Sequence, residues 1–206
     1  MLTLRREGIL GILAGLCIAL GGSVFLACES RYVGAVLFCV ALLTICYFGF
    51  SLYTGKIGFV VYNHRAADIG ALLCGLLGNL VACAAFGLMI RYGLPNLAVT
   101  AETLCEAKLQ QAWYQTLIRG VMCGVLMYIA VWVFRQKNSI VGILFCIPVF
   151  ILSGFEHSIA DAFYFAVAGA FTAEALLFIG IVVLGNTLGA VLIPLLEKGL
   201  GKEKAV

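Results

Sequence analysis

The chain has 206 residues, 64% of them hydrophobic and 11% charged, with a formal net charge of +3 at pH 7. A soluble domain carries about 45–50% apolar and about 25% charged residues, so this composition excludes a soluble fold and indicates a polytopic protein of the lipid bilayer. So small a net charge gives no argument for a nucleic-acid partner, and none is expected.

Arg5 and Arg6 precede an apolar run too long for the core of a signal peptide, and no small-residue cleavage motif follows it, so no cleavable leader is expected. Residues 8–28 form an uncharged run of 21, enough to cross about 30 Å of hydrocarbon as a helix. Gly11, Gly15, Gly21 and Gly22 mark this first span as a close-packing helix of the small-xxx-small kind.

Val33 to Tyr62 is apolar and helical up to about Tyr47. Gly49, Ser51, Thr54, Gly55, Lys56 and Gly58 then follow within ten residues. Irregular backbone at membrane depth is tolerated only where protein buries it or water reaches it. A half-helix, a loop at Gly49–Gly55 and a second half-helix to about Tyr62 are therefore expected. Asn63 to Asp68 is a polar turn with His64 and Arg65, and Ile69 to Ile90 is an uncharged third span containing Gly78-Asn79.

Arg91 to Gln111 is the longest polar connection, with Pro95, Glu102, Glu106 and Lys108. Trp113 and Tyr114 sit where an interfacial aromatic belt belongs, and the fourth span runs to about Phe134. Arg119 lies near the outer end of that span or faces the interior.

Ser139 to Gly169 is apolar except at Ser153-Gly154-Phe155-Glu156-His157-Ser158-Ile159-Ala160-Asp161. Ionisable groups at that depth cost several kcal/mol unless paired or lining a cavity, so the stretch reads as a transport or relay site. Ala175 to Leu196 is a clean last span, and the tail ends in Lys198, Lys202, Glu203 and Lys204.

The expected fold is an all-α membrane bundle of six spans, with spans 2 and 5 broken. A cytoplasmic N-terminus puts Arg5, Arg6, Arg65, Arg135, Lys137, Lys198, Lys202 and Lys204 inside and only Arg31, Arg91 and Lys108 outside, so both termini are expected in the cytoplasm. The two halves echo each other. Gly11-xxx-Gly15 resembles Gly120-xxx-Gly124, and Gly78-Asn79 resembles Gly185-Asn186. Three spans per half require inverted repeats, here about 6–93 and 112–197 of one transmembrane domain, with a substrate site where the broken spans meet. The nine cysteines show no CxxC or Cys/His spacing and read as packing residues, with neither metal nor cofactor expected. Cys28 and Cys105 fall in loops on the same side, where a bridge is geometrically open.

Four stretches carry a family resemblance. Ser153 to Ala160 resembles the signature of the formate/nitrite transporter family, and Leu52-Tyr53-Thr54-Gly55 resembles that family's Leu-Phe-Thr-Gly motif. Gly78-Asn79-Leu80-Val81 and Gly185-Asn186-Thr187-Leu188-Gly189 resemble its motifs in spans 3 and 6. The resemblance implies an aquaporin-like protomer in a homopentamer of the inner (plasma) membrane, with a pore in each subunit for small monovalent anions such as formate, nitrite, hydrosulfide or short carboxylates. It implies a channel or proton-coupled transporter and no enzyme.

By position, His157 resembles the central pore histidine and Thr54 the threonine that meets it. Phe38 and Leu42 take the places of one constriction with Phe150 as partner, and Leu52 a place in the loop constriction. Lys108 resembles the vestibule lysine that attracts anions, though it also reads as a solvated loop charge. Asn79 and Asn186 resemble braces of the broken spans. Glu156 is expected to accept hydrogen bonds from loop amides. Lys56 and Asp161 depart from the family, which usually has asparagine at both places. They are expected either to pair across the pseudo-two-fold axis, with Asp161 helping to brace the loops, or to leave Lys56 unpaired as an attractor of anions. A non-conducting structural or sensor subunit with a dead pore is the alternative function.

Overall fold

The computed structural model describes residues 2–62 and 65–201. Asn63 and His64 of the expected polar turn, and Lys202, Glu203 and Lys204 of the tail, lie outside the described residues. Among the described residues the chain is all helical.

Helix α1 (Leu2–Ala27) is followed by α2 (Arg31–Leu37) and α3 (Cys39–Phe48), then by the short α4 (Tyr53–Lys56), which runs into a 3-10 turn at Ile57–Val61. Helices α5 (Ala66–Gly93), α6 (Pro95–Leu109) and α7 (Trp113–Lys137) come next, and then α8 (Val141–Leu152), α9 (Ser158–Ala168) and α10 (Ala173–Gly199). Among the described residues five stretches, 3–27, 31–48, 66–93, 113–137 and 173–199, are each long and apolar enough to cross a membrane. The apolar helices α8 and α9, of 12 and 11 residues, are too short singly and complete a sixth crossing in tandem. Large apolar side chains such as Leu77, Phe145, Leu176 and Leu196 stand exposed on the outside of the bundle, as lipid contact requires.

Three details differ from expectation. The polar connection between spans 3 and 4 contains the 15-residue helix α6, started by Pro95 at its first turn, where a missing N–H costs nothing. The second part of span 2 is a single α-turn continued as a 3-10 turn and not a half-helix. All nine cysteines are free, so Cys28 and Cys105 form no bridge; Cys105 is buried on α6.

Glycine sets how closely the long helices pack. A Cβ on Gly11 of α1 would stand 2.4 Å from the Gly75 carbonyl oxygen of α5, and a Cβ on Gly124 of α7 would stand 2.2 Å from the Asn186 carbonyl oxygen of α10. The pairs α1–α5 and α7–α10 therefore approach backbone to backbone, which brings the asparagines of α5 and α10 within reach of the neighbouring chain.

The two breaks end alike. Gly49 closes α3 at φ 69° and Gly154 follows α8 at φ 69°, a left-handed conformation that favours glycine. The Phe50 N–H then donates to the Ile45 carbonyl and the Phe155 N–H to the Phe150 carbonyl, each at 3.0 Å. These are helix C-caps of the Schellman type, which satisfy carbonyls that lipid could not.

Candidate functional site

The loops that follow these caps are held by one asparagine each. Asn79 Oδ1 accepts the Tyr53 N–H at 2.9 Å, while its Nδ2 donates to the Gly11 carbonyl at 2.8 Å and the Ser51 carbonyl at 2.9 Å. Asn186 Oδ1 accepts the Ser158 N–H, while its Nδ2 donates to the Gly120 and Glu156 carbonyls, all at 2.9 Å. Each asparagine is fully buried, satisfies an N–H and a carbonyl that its break exposes, and ties them to a carbonyl of a neighbouring long helix, Gly11 of α1 or Gly120 of α7.

The two loops meet at Thr54 and His157, whose Oγ1 and Nε2 lie 2.8 Å apart. His157 is also the N-cap of α9, its Nδ1 accepting the Ala160 N–H at 3.2 Å. An acceptor Nδ1 carries no proton, so the neutral ring holds its proton on Nε2 and donates it to Thr54. Phe150 stacks on the imidazole at 5.8 Å, and Phe38 meets Phe150 edge-on at 6.3 Å. Phe38 stands at the junction of α2 and α3, where the backbone tightens into an Ala41 N–H to Phe38 carbonyl bond of 3.0 Å.

Two cavities approach this pair from opposite faces. The larger, about 570 Å³, lies on the side of the α1 N-terminus and is lined by Glu7, Leu42, Leu52, Lys56, Asp68 and Arg135, among others. The smaller, about 170 Å³, lies on the side of α6 and reaches Phe38, Phe150 and His157. Phe38 and Leu42 were expected in one constriction. They separate here: Phe38 joins Phe150 on the α6 side, and Leu42 joins Leu52 on the other.

Lys56 and Asp161 do not pair. Lys56 Nζ binds Glu7 Oε2 at 3.0 Å, and the same oxygen accepts the Ser51 hydroxyl at 2.7 Å. Asp161 Oδ1 takes Lys108 Nζ at 2.9 Å. Lys56 lines the larger cavity and Asp161 the smaller, so corresponding positions of the two breaks face opposite sides. This also removes the reading of Lys56 as an unpaired cation. Among the described residues the ion pair of Asp161 is the one with Lys108, on α6.

Lys108 is not a solvated loop charge. Helix α6 carries it inward until its ammonium lies between Asp161 and Glu156 and pairs with both. Gln111 Nε2 donates to the other Glu156 oxygen at 2.8 Å. Glu156 thus accepts side-chain donors, not the loop amides expected; its own N–H donates to the Arg119 carbonyl at 3.3 Å. Burial works against the Lys108 ammonium, but Asp161 and Glu156 outweigh it and hold its pKa above the ordinary lysine value. Glu7 and Gln111 were not singled out in the sequence, and Ser51 only as part of the break, because each acts on a partner more than forty residues away.

The sequence model of the family described as formate/nitrite transporter matches residues 2–197. The chain belongs to the formate/nitrite transporter family. Within that family it is 28% identical to the formate channel FocB of Escherichia coli (strain K12), over 159 residues that cover 68% of this chain and 55% of that protein. It is 30% identical to the nitrite transporter NirC of the same strain, over 175 residues covering 75% of this chain and 65% of that one. The chain thus spans 55% and 65% of the length of these two curated relatives. A solved structure described as an FNT family ion channel superposes with a TM-score of 0.78 at 25% identity, over 97% of this chain and 89% of the other. Another, described as a pentameric formate channel with formate bound, gives 0.77 at 19% identity over 98% of each chain and bears on the fold. As a formate/nitrite transporter family member with its long apolar helices, the chain is a multi-pass membrane protein.

Proposed function

We propose that this family member carries small monovalent anions of weak acids, such as formate, nitrite, hydrosulfide or short carboxylates, through a pore in each subunit of a homopentamer. It sits in the inner membrane with both termini in the cytoplasm, and it is no enzyme. Its single domain is built of inverted repeats at about 6–93 and 112–197; the matching asparagine bonds and glycine caps of the two breaks support that reading. The relatives named a formate channel and a nitrite transporter, and the neighbour described as pentameric, support the substrate class and assembly.

The observation that carries the reading is the Thr54–His157 bond at 2.8 Å with a cavity leading toward it from each face. Phe38 and Phe150 on one side, and Leu42 and Leu52 on the other, are the constrictions. Fully dehydrating an ion there costs on the order of 20 kcal/mol before relaxation. A weak acid avoids most of that by crossing neutral. His157 offers its Nε2 proton to the passing anion as a hydrogen bond in place of Thr54. It has no second proton to give while Nδ1 caps α9, so the anion takes up its proton from bulk hydronium on the side of entry and returns it to bulk water on the side of exit. The reading is tested with purified protein in liposomes, by stopped-flow uptake of formate, nitrite and hydrosulfide with internal pH followed. Anion-dependent proton uptake supports the reading; no uptake of any of them in the wild type sinks it and leaves the non-conducting subunit.

A further inference from the structure

The α6-side cavity holds more carboxyl groups than its one lysine matches. Lys108, 12% exposed, lies against two carboxyl groups that are 3% and 2% exposed. Glu156 alone matches its charge. Asp161 adds a second carboxyl whose Oδ2 is buried with no hydrogen-bond partner. This cluster brings no net positive charge to the mouth, so it cannot draw an anion toward His157.

Two guanidinium groups line the same cavity. Arg31, at the start of α2, spends one donor, Nη2, on the Ile151 carbonyl at 2.9 Å. Arg119, midway along the first half of α7, reaches over the loop of span 5, its Nη1 3.9 Å from where a Cβ on Gly154 would stand. Among the described residues neither guanidinium belongs to an ion pair. A guanidinium presents five donors in a planar fork that fits two oxygens at once. It also stays charged in a half-buried mouth.

We infer that Arg119, assisted by Arg31, is the anion-docking site of this mouth, and that Lys108 is not. The ligand class is a planar anion with two oxygens on one atom, as in formate, nitrite and short carboxylates, held by the fork before it passes Phe38 and Phe150. Hydrosulfide, with one donor-accepting atom, gains only the charge. This rests on the pore reading and adds a selectivity to it.

The test is uptake into liposomes as a function of anion concentration. Arg119→Gln is expected to raise the half-saturation concentration for formate and nitrite about tenfold, the weight of one bidentate charge-assisted contact, with the maximal rate largely kept. Arg31→Gln shifts it the same way by less. Arg119→Lys keeps a cation and serves where the glutamine variant does not fold. It is expected to keep hydrosulfide uptake near wild type while formate and nitrite remain weakened. Asp161→Asn in the Arg119→Gln background is expected to restore part of the loss by removing a carboxyl from the mouth. Wild-type half-saturation for all three anions in Arg119→Gln, or in Arg119→Lys, overturns the inference while leaving the pore intact. Absence of wild-type uptake is the separate failure of the pore reading.

Discussion

Thr54 Oγ1 and His157 Nε2 stand 2.8 Å apart although 103 residues separate them, so the loops of the two interrupted crossings meet side chain to side chain. The same imidazole caps α9 through its other nitrogen, and its structural and chemical duties can be separated by substitution.

His157→Asn keeps a good helix N-cap and loses the ring. His157→Ala loses both. We expect the alanine variant to be less stable than the asparagine one by about 1 kcal/mol, the usual cost of a lost cap. Both should lose anion flux at least about tenfold, the factor that 1.4 kcal/mol of barrier represents. Thermal unfolding in detergent and uptake assays read the two effects. Wild-type flux in His157→Asn would remove the ring from the mechanism.

Asn79→Ala takes its partner from the Tyr53 N–H and the Ser51 carbonyl, and Asn186→Ala from the Ser158 N–H and the Glu156 carbonyl. An unsatisfied buried group costs about 1–3 kcal/mol, so either variant should lose several kcal/mol and yield little monodisperse protein. Matching losses from the two substitutions would also favour the repeat reading. Size-exclusion chromatography after solubilisation is the check.

Lys108→Met strands two buried carboxyl groups and should destabilise by about 3–5 kcal/mol. Adding Glu156→Gln and Asp161→Asn removes the stranded charge and should recover most of that. The pH dependence follows from the sign of the lysine shift. Its pKa is raised in the folded state, so its contribution is complete below the ordinary lysine value and fades only as pH climbs through the raised one. Melting curves of the single and triple variants, taken at neutral and alkaline pH, test both statements.

Glu7 and Lys56 form a partly exposed pair, with Lys56 39% and Glu7 18% exposed at the side chain. Such a pair is worth about 0–1 kcal/mol, so Lys56→Gln should scarcely change stability. Glu7→Gln releases the ammonium into the larger cavity and should lower the half-saturation concentration for anions entering from that face. Unchanged saturation in both variants would make the pair a passive feature of the mouth.

Gly49, Gly154, Asn79 and Asn186 show how much of the architecture was legible in the chain. Small and polar residues inside apolar runs cannot face lipid, so the breaks in spans 2 and 5 announce themselves locally. The meeting of Thr54 with His157 was readable only as a resemblance, and their 2.8 Å bond is a fact of the fold. Helix α6 escaped because a short segment of mixed polarity between spans looks like any loop. The pairing of Lys56 with Glu7, and of Asp161 with Lys108, could not be read at all, since two unusual charges at corresponding places invite the assumption that they face each other.

Hydropathy along the chain determined, without any structure, that this protein lives in a bilayer, where its crossings lie and which two of them are interrupted, because lipid penalises every exposed polar group whatever its neighbours. Which charge answers which was decided by the tertiary structure alone. A side chain in a break has two cavities to choose between, and only the packed positions of α1, α6 and α7 determine whether Glu7, Lys108 or Arg119 stands on the side it faces.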